Sequence, residues 1–372
     1  MNVNSMTFII GTRPECIKMA PLILEAKLRM INCNVVYLTQ HHDVVEEIFE
    51  LFDISDYIRL EVNRNRNSLI DFFSESLKVL DNYLKLLKNT DIFVQGDTAT
   101  ATVGSLVAFY QKRRLHHVEA GLRSGNSNNP FPEEMNRKII SQLSDMNYAP
   151  TLTNVNNLLK ENIDPSRIFQ TGNTIIDSLV YLKNNKKFDN LENHITKFIN
   201  SHKRIILITA HRREKWGNEY ENFLLEIIKI KDYLKNVGII FVTHPNPYLR
   251  NLAIERLENK SSILVLPPQR YDKFISLINN SDLIISDSGG IQEEATYLGK
   301  HVFVVRANSE RAEGFRGDQL RLVEAHLTEK VIEFISNIED MNMSVIDSNR
   351  YIFGDGTASK KILEIAERDS GE

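Results

Sequence analysis

The chain has 372 residues, of which 42% are hydrophobic and 25% are charged, and its formal net charge at pH 7 is -4. This composition is typical of a soluble globular protein, and a length of this order predicts two domains. A charge balance so close to neutral excludes the broad basic surface by which proteins bind nucleic acids or anionic membranes. A phosphorylated ligand would therefore have to be held by a few well-placed cations.

The cysteine and histidine patterns do not favour a metal site. Cys16 and Cys33 form no CxxC motif. The pairs His41–His42 and His116–His117 are unsuited to chelation, because neighbouring residues in a strand point to opposite faces. So few cysteines also favour a reducing cytoplasm over a disulfide framework. We therefore expect no metal.

The chain also shows no pattern typical of export or membrane insertion. The apolar run near the first residue is too short for a signal peptide. No later run approaches the roughly 18 apolar residues of a membrane span. We expect a cytoplasmic protein without a membrane segment.

Short β-branched runs alternate with stretches of helical periodicity along the chain. Most of the runs are continuously apolar, which is typical of parallel strands covered by helices on both faces. Strands are predicted at residues 7–10, 34–38, 91–94, 116–119, 146–149, 168–171, 205–209, 238–243, 262–266, 282–286 and 301–305. Helices are predicted at residues 69–87, 220–234 and 358–368. The alternation indicates a doubly wound α/β fold.

Residues 182–203 are rich in lysine and asparagine and are the weakest stretch for core formation. We expect this stretch to open a second domain. Ligands of open parallel sheets bind at the carboxyl ends of the strands. Two such sheets that faced each other would form a cleft between the domains.

The sequence GTRPE at residues 11–15 directly follows the first predicted strand and precedes a helical stretch. Glycine permits a tight turn, and proline suits the first turn of a helix, where its missing N–H has no partner to lose. Arg13 and the free backbone N–H groups would then face an anion. An ordinary turn with a solvated arginine is the alternative. The spacing differs from GxGxxG, which argues against a dinucleotide cofactor.

The sequence SDSGGIQEE, from residue 286 to residue 294, also lies between a predicted strand and a helix. Ser288 can cap that helix, while Gly289 and Gly290 allow a phosphate to approach the backbone amides. Glu294 is suited to accept hydrogen bonds from ribose hydroxyl groups. Alternatively, Glu293 and Glu294 are surface acids that complement the helix dipole.

Two further loops carry cations. Arg311 lies in the charged loop at residues 306–316 and is suited to neutralise a diphosphate. His211 follows the strand predicted at residues 205–209 and stands beside two arginines, whose charges favour the neutral imidazole. It is therefore suited to meet an anionic leaving group. Solvated surface side chains are the alternative for both loops.

Three carboxylates in the first half lie at or beyond predicted strand ends, and they are Asp97, Glu119 and Glu133. Such a group is what a site for proton transfer to and from carbon would use. Taken singly, each acid is also explained as a helix cap. Arg137 lies one helical turn after Glu133, so the two side chains would share a helix face and could pair.

Together these motifs resemble one family, the non-hydrolysing UDP-N-acetylglucosamine 2-epimerases. The matching stretches occur in the family's order from Ile10 to about Val323, which is nearly the whole chain. They are GTRPECIKMAPL, QGDTAT, HVEAGLRSGN, PFPEEMNR, TGNTIIDSL, TAHRRE, THPNP, SDSGGIQEE and SERAE. No single stretch is specific to this family, but the whole set is.

The resemblance implies two Rossmann-like domains that face each other across a cleft, in the arrangement called GT-B. The first domain would comprise residues 1–172, completed by the C-terminal helix at 358–372, and the second, UDP-binding domain would comprise residues 173–357. Family members interconvert UDP-GlcNAc and UDP-ManNAc without a redox cofactor or a metal, and they supply ManNAc units for cell-surface polysaccharide. They are commonly dimers. We therefore expect a homodimer that binds a UDP-sugar and neither nucleic acid nor membrane.

The resemblance also implies a mechanism and a set of residues. The family eliminates UDP to give 2-acetamidoglucal and then adds UDP back with protonation on the opposite face. The catalytic residues would be Asp97, Glu119, Glu133 and His211. The substrate-binding residues would be Arg13, Lys18, Arg137, Ser288, Gly289, Gly290, Glu294 and Arg311. Glu119 and Asp97 would share the proton transfers, and His211 and Arg13 would stabilise the departing UDP.

The chain departs from the family pattern in two places. The loop around Arg311 reads SERAE where the family usually has TERPE, so Ala312 replaces a proline. Bacterial members often bind a second UDP-GlcNAc as an activator through a QHR-type motif, and residues 40–43 here read QHHD. The residues that could still bind an activator are Gln40, Arg66, Glu134, Arg212 and His244.

The sequence leaves several alternatives open. A glycosyltransferase would share the cleft and the phosphate loop, but it would not need three carboxylates. A hydrolysing 2-epimerase would release free ManNAc and UDP because water reaches the glucal. A nucleotide-sugar sensor would explain the cleft but not the acids. The substrate could also be a UDP-sugar modified at C3 or C6.

Overall fold

Two parallel β-sheets organise the chain. The computed structural model describes residues 5–39, 45–62, 68–188, 191–209, 218–305, 311, 314–315, 319–323, 325–338 and 350–369. The strands of the first sheet are β1 (Met6–Ile10), β2 (Cys33–Leu38), β3 (Ile58–Leu60), β4 (Asp91–Gln95), β5 (Leu115–Val118), β6 (Met146–Ala149) and β7 (Ile168–Gln170). They are all parallel and lie in the order β3-β2-β1-β4-β5-β6-β7.

The second sheet repeats this plan. Its strands are β8 (Arg204–Thr209), β9 (Val237–Val242), β10 (Ile263–Leu266), β11 (Leu283–Ser286), β12 (His301–Val304) and β13 (Leu320–Leu322). They too are all parallel, in the order β10-β9-β8-β11-β12-β13. In each sheet the next two strands of the chain are added on one side of the first strand, and the later strands are added on its other side. This is the doubly wound topology predicted from the sequence.

Helices connect the strands of both sheets. They are α1 (Arg13–Leu28), α2 (Glu46–Leu51), α3 (Leu69–Leu84), α4 (Ala99–Tyr110), α5 (Glu133–Leu143), α6 (Leu152–Lys160), α7 (Thr174–Asn184), α8 (Asn193–Asn200), α9 (Asn218–Tyr233), α10 (Pro247–Leu257), α11 (Tyr271–Asn279), α12 (Gly289–Tyr297), α13 (Leu327–Asn337) and α14 (Ala358–Asp369). Within the described ranges, no helix combines the length and the apolar character that a bilayer span requires.

The predicted strands are confirmed to within one residue at either end, because the central strands are mostly apolar and buried. All residues of β1 and β9, for example, are buried. The sequence missed β3 and β13, which lie at sheet edges and are only three residues long, with an arginine at the centre of each. The lysine-rich stretch at residues 182–203 contains the C-terminal end of α7 and all of α8, in which only Ile195 is buried.

The chain divides into two units, one comprising Met1–Tyr181 with Phe353–Glu372 and the other comprising Leu182–Ile352. The chain passes from the first unit to the second inside α7, rather than at residue 172. It passes back to the first unit at Phe353, before residue 358. Two contacts explain why the start of α7 stays with the first unit. The Ser178 hydroxyl donates to the Ile17 carbonyl at 2.6 Å, and the Asp177 carboxylate accepts from two N–H groups at the start of α14, at 3.2 and 2.7 Å.

The loop after β7 packs directly against the returning C-terminal segment. The Asn173 N–H donates to the Phe353 carbonyl at 2.7 Å. Gly172 and Gly354 have φ values of +89° and +130°, and a Cβ at Gly172 would stand 3.1 Å from the Gly354 Cα. Glycine is required here by both the backbone conformation and the close approach.

The loop after β1 is held by a buried glutamate in the first turn of α1. The Glu15 carboxylate accepts hydrogen bonds from the Gly11 N–H at 3.0 Å and from the Thr98 hydroxyl at 2.5 Å. Because Thr98 is the N-cap of α4, these bonds tie the loops after β1 and β4 together. Burial raises the pKa of Glu15 to about 7, although its hydrogen bonds act in the opposite direction.

Gly172→Ala is expected to destabilise the protein more than Gly125→Ala does. Both positions have positive φ, which alanine adopts at a cost of about 1–2 kcal/mol. Only the Gly172 methyl group would collide with the returning segment, since no atom lies within 4 Å of a Cβ at Gly125. Urea unfolding should show an additional loss of roughly 1–3 kcal/mol for Gly172→Ala. Equal losses for the two variants would contradict this packing.

Glu15→Gln is expected to stabilise the protein at alkaline pH relative to the wild type. Because the folded-state pKa of Glu15 lies above the ordinary value of 4.5, the folded state binds the proton more tightly. Wild-type stability should therefore fall as the pH rises from about 4.5 to about 7. Over this window the contribution is roughly 3 kcal/mol. Glutamine has no charge to bury and keeps an acceptor for the Gly11 N–H.

Thermal unfolding of both proteins at about pH 5 and about pH 8 measures this effect. The matched control is Glu50→Gln, which changes an exposed glutamate on α2. The difference in unfolding free energy between Glu15→Gln and wild type should grow with pH, and that of the control should not. A Glu15→Gln difference that is independent of pH would show that this carboxyl does not titrate as described.

Candidate active site

The strand order reverses between β1 and β4 in the first sheet and between β8 and β11 in the second. Ligands of open parallel sheets bind at the carboxyl ends of the strands beside such a reversal. The loops that begin at Gly11 and Gly96 follow β1 and β4, and the loop that begins at Asp287 follows β11. His211 follows β8 but lies outside the described residues. Three of the predicted motifs therefore stand where a doubly wound fold binds its ligands.

Glu119 follows β5 and is held by donors from three other segments. Both of its carboxylate oxygens contact the Lys18 ammonium, at 2.5 and 2.7 Å. The side-chain amide of Asn173 donates to Oε1 at 2.8 Å, and the amide of Gln95 donates to Oε2. Each oxygen of the carboxylate thus accepts from an amide as well as from the ammonium.

These contacts make the burial of two charges tolerable. Lys18 and Glu119 are 8% and 7% exposed. A buried charge is costly unless it is paired and hydrogen-bonded, and donors around a carboxylate favour its ionised form. Glu119 also has a φ of +67°, which costs a non-glycine residue on the order of 1–3 kcal/mol and is common at functional sites. The arrangement presents a buried carboxylate that is held in one orientation.

Arg137 of α5 connects two of the predicted site residues. Its Nε and Nη2 atoms contact Asp97 Oδ2 at 2.7 and 2.6 Å, and its Nη1 contacts Glu134 Oε2 at 3.3 Å. Asn136 donates to the Asp97 carbonyl at 2.8 Å. The sequence suggested Glu133 as the partner of Arg137, whereas these pairs involve Asp97 and Glu134. They fix Asp97 in the loop after β4, two residues beyond Gln95, the last residue of that strand.

The two glutamates at the start of α5 have different environments. Glu134 is completely buried, and its carboxylate accepts from the N–H groups of Ser124 at 2.9 Å and Gly125 at 3.2 Å. Glu133 is half-buried at the first residue of the helix. Glu134, which the sequence assigned to an activator site, therefore ties the loop at residues 124–125 to Arg137.

The N-terminus of α12 carries the anion-binding features of the second unit. Ser288 is its N-cap residue, but the Ser288 side chain makes no capping hydrogen bond. The Arg311 guanidinium lies against Gly289, where a Cβ would stand 2.3 Å from Nη1. No atom lies within 4 Å of a Cβ at Gly290. Backbone N–H groups and a guanidinium thus meet at one helix N-terminus, which is suited to bind a phosphate.

Glu293 holds this arginine in place. Its Oε1 accepts from Arg311 Nε at 2.8 Å, and the two residues are 1% and 7% exposed. Glu294 is also buried. The alternative in which Glu293 and Glu294 are solvated surface acids is therefore wrong, as is the alternative of a solvated Arg311. The ion pair with Glu293 holds the Arg311 guanidinium beside Gly289.

Two other predicted residues, Arg13 and His244, belong to described segments. Arg13 is half-buried at the first residue of α1. His244 follows β9, and its Nδ1 accepts from the Asn246 N–H at 2.8 Å, which leaves the proton of the neutral ring on Nε2. The predicted residues without a description are Gln40, Arg66, His211 and Arg212.

The histidines of β5 are engaged within the sheet. His116 Nδ1 lies 2.8 Å from the Tyr148 hydroxyl, and His117 Nε2 lies 2.8 Å from the Gly96 carbonyl. Burial lowers the pKa of His117 to about 4, so this ring is neutral at pH 7. Among the described residues, no three metal-ligating side chains converge.

Sequence reasoning missed the roles of Gln95, Asn173 and Glu293, which hold the charged groups in place. Gln95 and Asn173 stand inside the quoted motifs QGDTAT and TGNTIIDSL. An asparagine just before a helix signals a cap, and Asn173 Oδ1 does accept the Ile175 N–H at 3.1 Å. Its second contact, with Glu119, joins segments that are distant in sequence, and no local pattern reveals such a contact.

Comparison with known proteins identifies the family. The family profile described as UDP-N-acetylglucosamine 2-epimerase matches residues 25–367. The chain is 38% identical to the UDP-N-acetylglucosamine 2-epimerase of Campylobacter jejuni, over 98% of this chain and 97% of that protein. It is 36% identical to the enzyme of the same name from Escherichia coli strain K12, over 96% of each.

Solved structures agree with this result. The structure of UDP-GlcNAc 2-epimerase from Neisseria meningitidis bound to UDP-GlcNAc matches 98% of this chain and all of its own, with a TM-score of 0.87 and 36% identity. The Methanocaldococcus jannaschii enzyme in complex with UDP-GlcNAc and UDP covers 97% of this chain and 99% of its own, with a TM-score of 0.82 and 32% identity. With the profile match and the full-length relatives, these structures show that the chain belongs to the UDP-N-acetylglucosamine 2-epimerase family.

Proposed function

We propose that this protein interconverts UDP-GlcNAc and UDP-ManNAc by inverting the sugar at C2. The observation that carries the proposal is the buried Glu119 carboxylate, which Lys18 and two amides hold at the carboxyl edge of the first sheet. Asp97 stands at the same edge, fixed by Arg137. The ligands in the related structures, UDP-GlcNAc and UDP, support a UDP-sugar as the substrate.

The chemistry explains why the site needs carboxylates. The hydrogen at C2 is not next to a carbonyl group, so its direct removal would leave an unstabilised carbanion. If UDP leaves C1 as the C2 proton is taken, the C–H electron pair forms the C1–C2 double bond of 2-acetamidoglucal. A UDP oxygen then attacks C1 while C2 receives a proton on the opposite face. The cycle is redox-neutral and requires no nicotinamide.

Two carboxylates can serve the two faces of the sugar. Glu119 is held in one orientation by its surrounding donors, and we assign the proton transfers to Glu119 and Asp97 together. Glu133, at the start of α5, is the third carboxylate of the catalytic set, and the family resemblance alone supports its role and that of His211. Arg13 would stabilise the negative charge of the departing UDP.

The second unit offers groups that suit a nucleoside diphosphate. The N–H groups at Gly289 and Gly290 and the Arg311 guanidinium suit the phosphates. Glu294 is buried in the same helix and suits the ribose hydroxyl groups. The observed Glu293–Arg311 pair supports this assignment, because it keeps the cation beside the open first turn of α12.

The cellular setting of the proposed function follows from the resemblance. We propose that the protein acts in the cytoplasm as a homodimer and supplies ManNAc units for a cell-surface polysaccharide. Size-exclusion chromatography with light scattering would measure the assembly, and a monomer at working concentration would contradict the dimer.

The function is tested by incubating the purified protein with UDP-GlcNAc in D2O, without added metal or nicotinamide. Proton NMR should show UDP-ManNAc with deuterium at C2, because the proton removed at C2 exchanges with solvent. Free ManNAc with UDP would instead indicate a hydrolysing enzyme. Neither product nor exchange, with UDP still bound, would contradict the proposal and favour a transferase or a sensor.

Gly289→Ala is expected to weaken UDP binding by about tenfold or more, since its methyl group would displace the Arg311 guanidinium. Isothermal titration calorimetry with UDP measures the dissociation constant. Arg311→Ala is the comparison, because it removes the guanidinium without adding a methyl group to the helical turn, and it should weaken UDP binding to a similar extent. Wild-type affinity in Arg311→Ala would show that Arg311 does not contribute to binding.

A further inference from the structure

Asn173 connects the Glu119 carboxylate to the returning C-terminal segment. Its backbone N–H donates to the Phe353 carbonyl at 2.7 Å. Its side-chain Oδ1 accepts the Ile175 N–H at 3.1 Å, and its Nδ2 donates to Glu119 Oε1 at 2.8 Å. Asn173 is 1% exposed, so water does not compete for these contacts.

The contacts leave the Asn173 amide one orientation. Because Oδ1 receives the helix N–H, the amide NH2 must point to Glu119, and the reverse orientation would set two oxygens against each other. The backbone is held as well, since Gly172 packs so closely against Gly354 that a Cβ on Gly172 would stand 3.1 Å from the Gly354 Cα. Both the side chain and the backbone of Asn173 therefore hold the donor that faces Glu119.

A second side-chain amide holds the other carboxylate oxygen of Glu119. Gln95 donates to Oε2, so an amide contacts each oxygen, and the Lys18 ammonium bridges both. The ammonium supplies the counter-charge, whereas the two amides define the plane of the carboxylate. Rotation of that plane would break at least one amide contact.

We propose that Asn173 is a positioning residue for the epimerisation, which orients the Glu119 carboxylate for proton transfer. The inference rests on the proposed function, in which Glu119 exchanges the C2 proton. It extends the site to the C-terminal segment, because the Phe353 carbonyl sets the backbone of Asn173.

Two substitutions separate this role from helix capping. Serine and aspartate are both good N-cap residues, so Asn173→Ser and Asn173→Asp retain an acceptor for the Ile175 N–H. Asn173→Ser removes the donor to Glu119 without adding charge, and kcat should fall between about 10-fold and 100-fold. Asn173→Asp places a second carboxylate beside Glu119, so the acidic limb of the kcat/KM profile should move to higher pH by about one unit or more.

Asp177→Asn provides the control for lost stability. Asp177 accepts two N–H groups at the start of α14 and does not contact Glu119, so its substitution weakens the docking of the same C-terminal segment. This variant should unfold more easily, yet its acidic limb should stay at the wild-type pH. If Asn173 had a purely structural role, Asn173→Asp would also unfold more easily, and the acidic limb of its kcat/KM profile would stay at the wild-type pH.

The outcomes distinguish this inference from the proposed function. If the wild type epimerises UDP-GlcNAc and the two Asn173 variants show the predicted changes, both statements stand. If the wild type is active but Asn173→Ser keeps its kcat and Asn173→Asp keeps its pH profile, the positioning role is wrong and the function stands. If the wild type neither epimerises nor exchanges the C2 hydrogen, the function fails and the inference fails with it.

Discussion

The buried pair of Lys18 and Glu119 is the interaction on which the first unit's site depends. Each charge alone would cost several kcal/mol to bury, so the pair is tolerable only with further hydrogen bonds to the carboxylate. Those bonds come from Gln95 at the end of β4 and from Asn173 after β7, while Lys18 belongs to α1. The carboxylate therefore receives all of these hydrogen bonds only when the separate segments of the first unit have folded together.

The second unit uses the same strand order for a different purpose. Its switch-point loop after β11 presents backbone N–H groups, and the buried Glu293–Arg311 pair adds a fixed positive charge beside them. Glu293 satisfies this arginine much as the two amides satisfy Glu119. In both units a buried partner orients the charged group before any ligand arrives, and such preorganisation is what makes electrostatic catalysis and anion binding effective.

Much of this architecture was predictable from the sequence, and the exceptions have physical causes. The central strands were recognised because both of their faces are buried and their residues are mostly apolar. The edge strands β3 and β13 were missed because Arg59 and Arg321 interrupt their short apolar pattern. The motifs were found because a glycine-rich turn after a strand is a local signal. The partner contacts of Asn173 and Glu15 were not, since they join segments that only the fold brings together.

The central claim is that Glu119 carries the C2 proton, and Glu119→Gln tests it most directly. Glutamine has nearly the same shape, but its amide cannot accept a proton from carbon. If Glu119 carries the proton, kcat should fall by at least about 100-fold and deuterium should no longer enter C2, while the affinity for UDP changes little. Near-normal turnover in this variant would contradict the account, because another group would then have to perform the proton transfer.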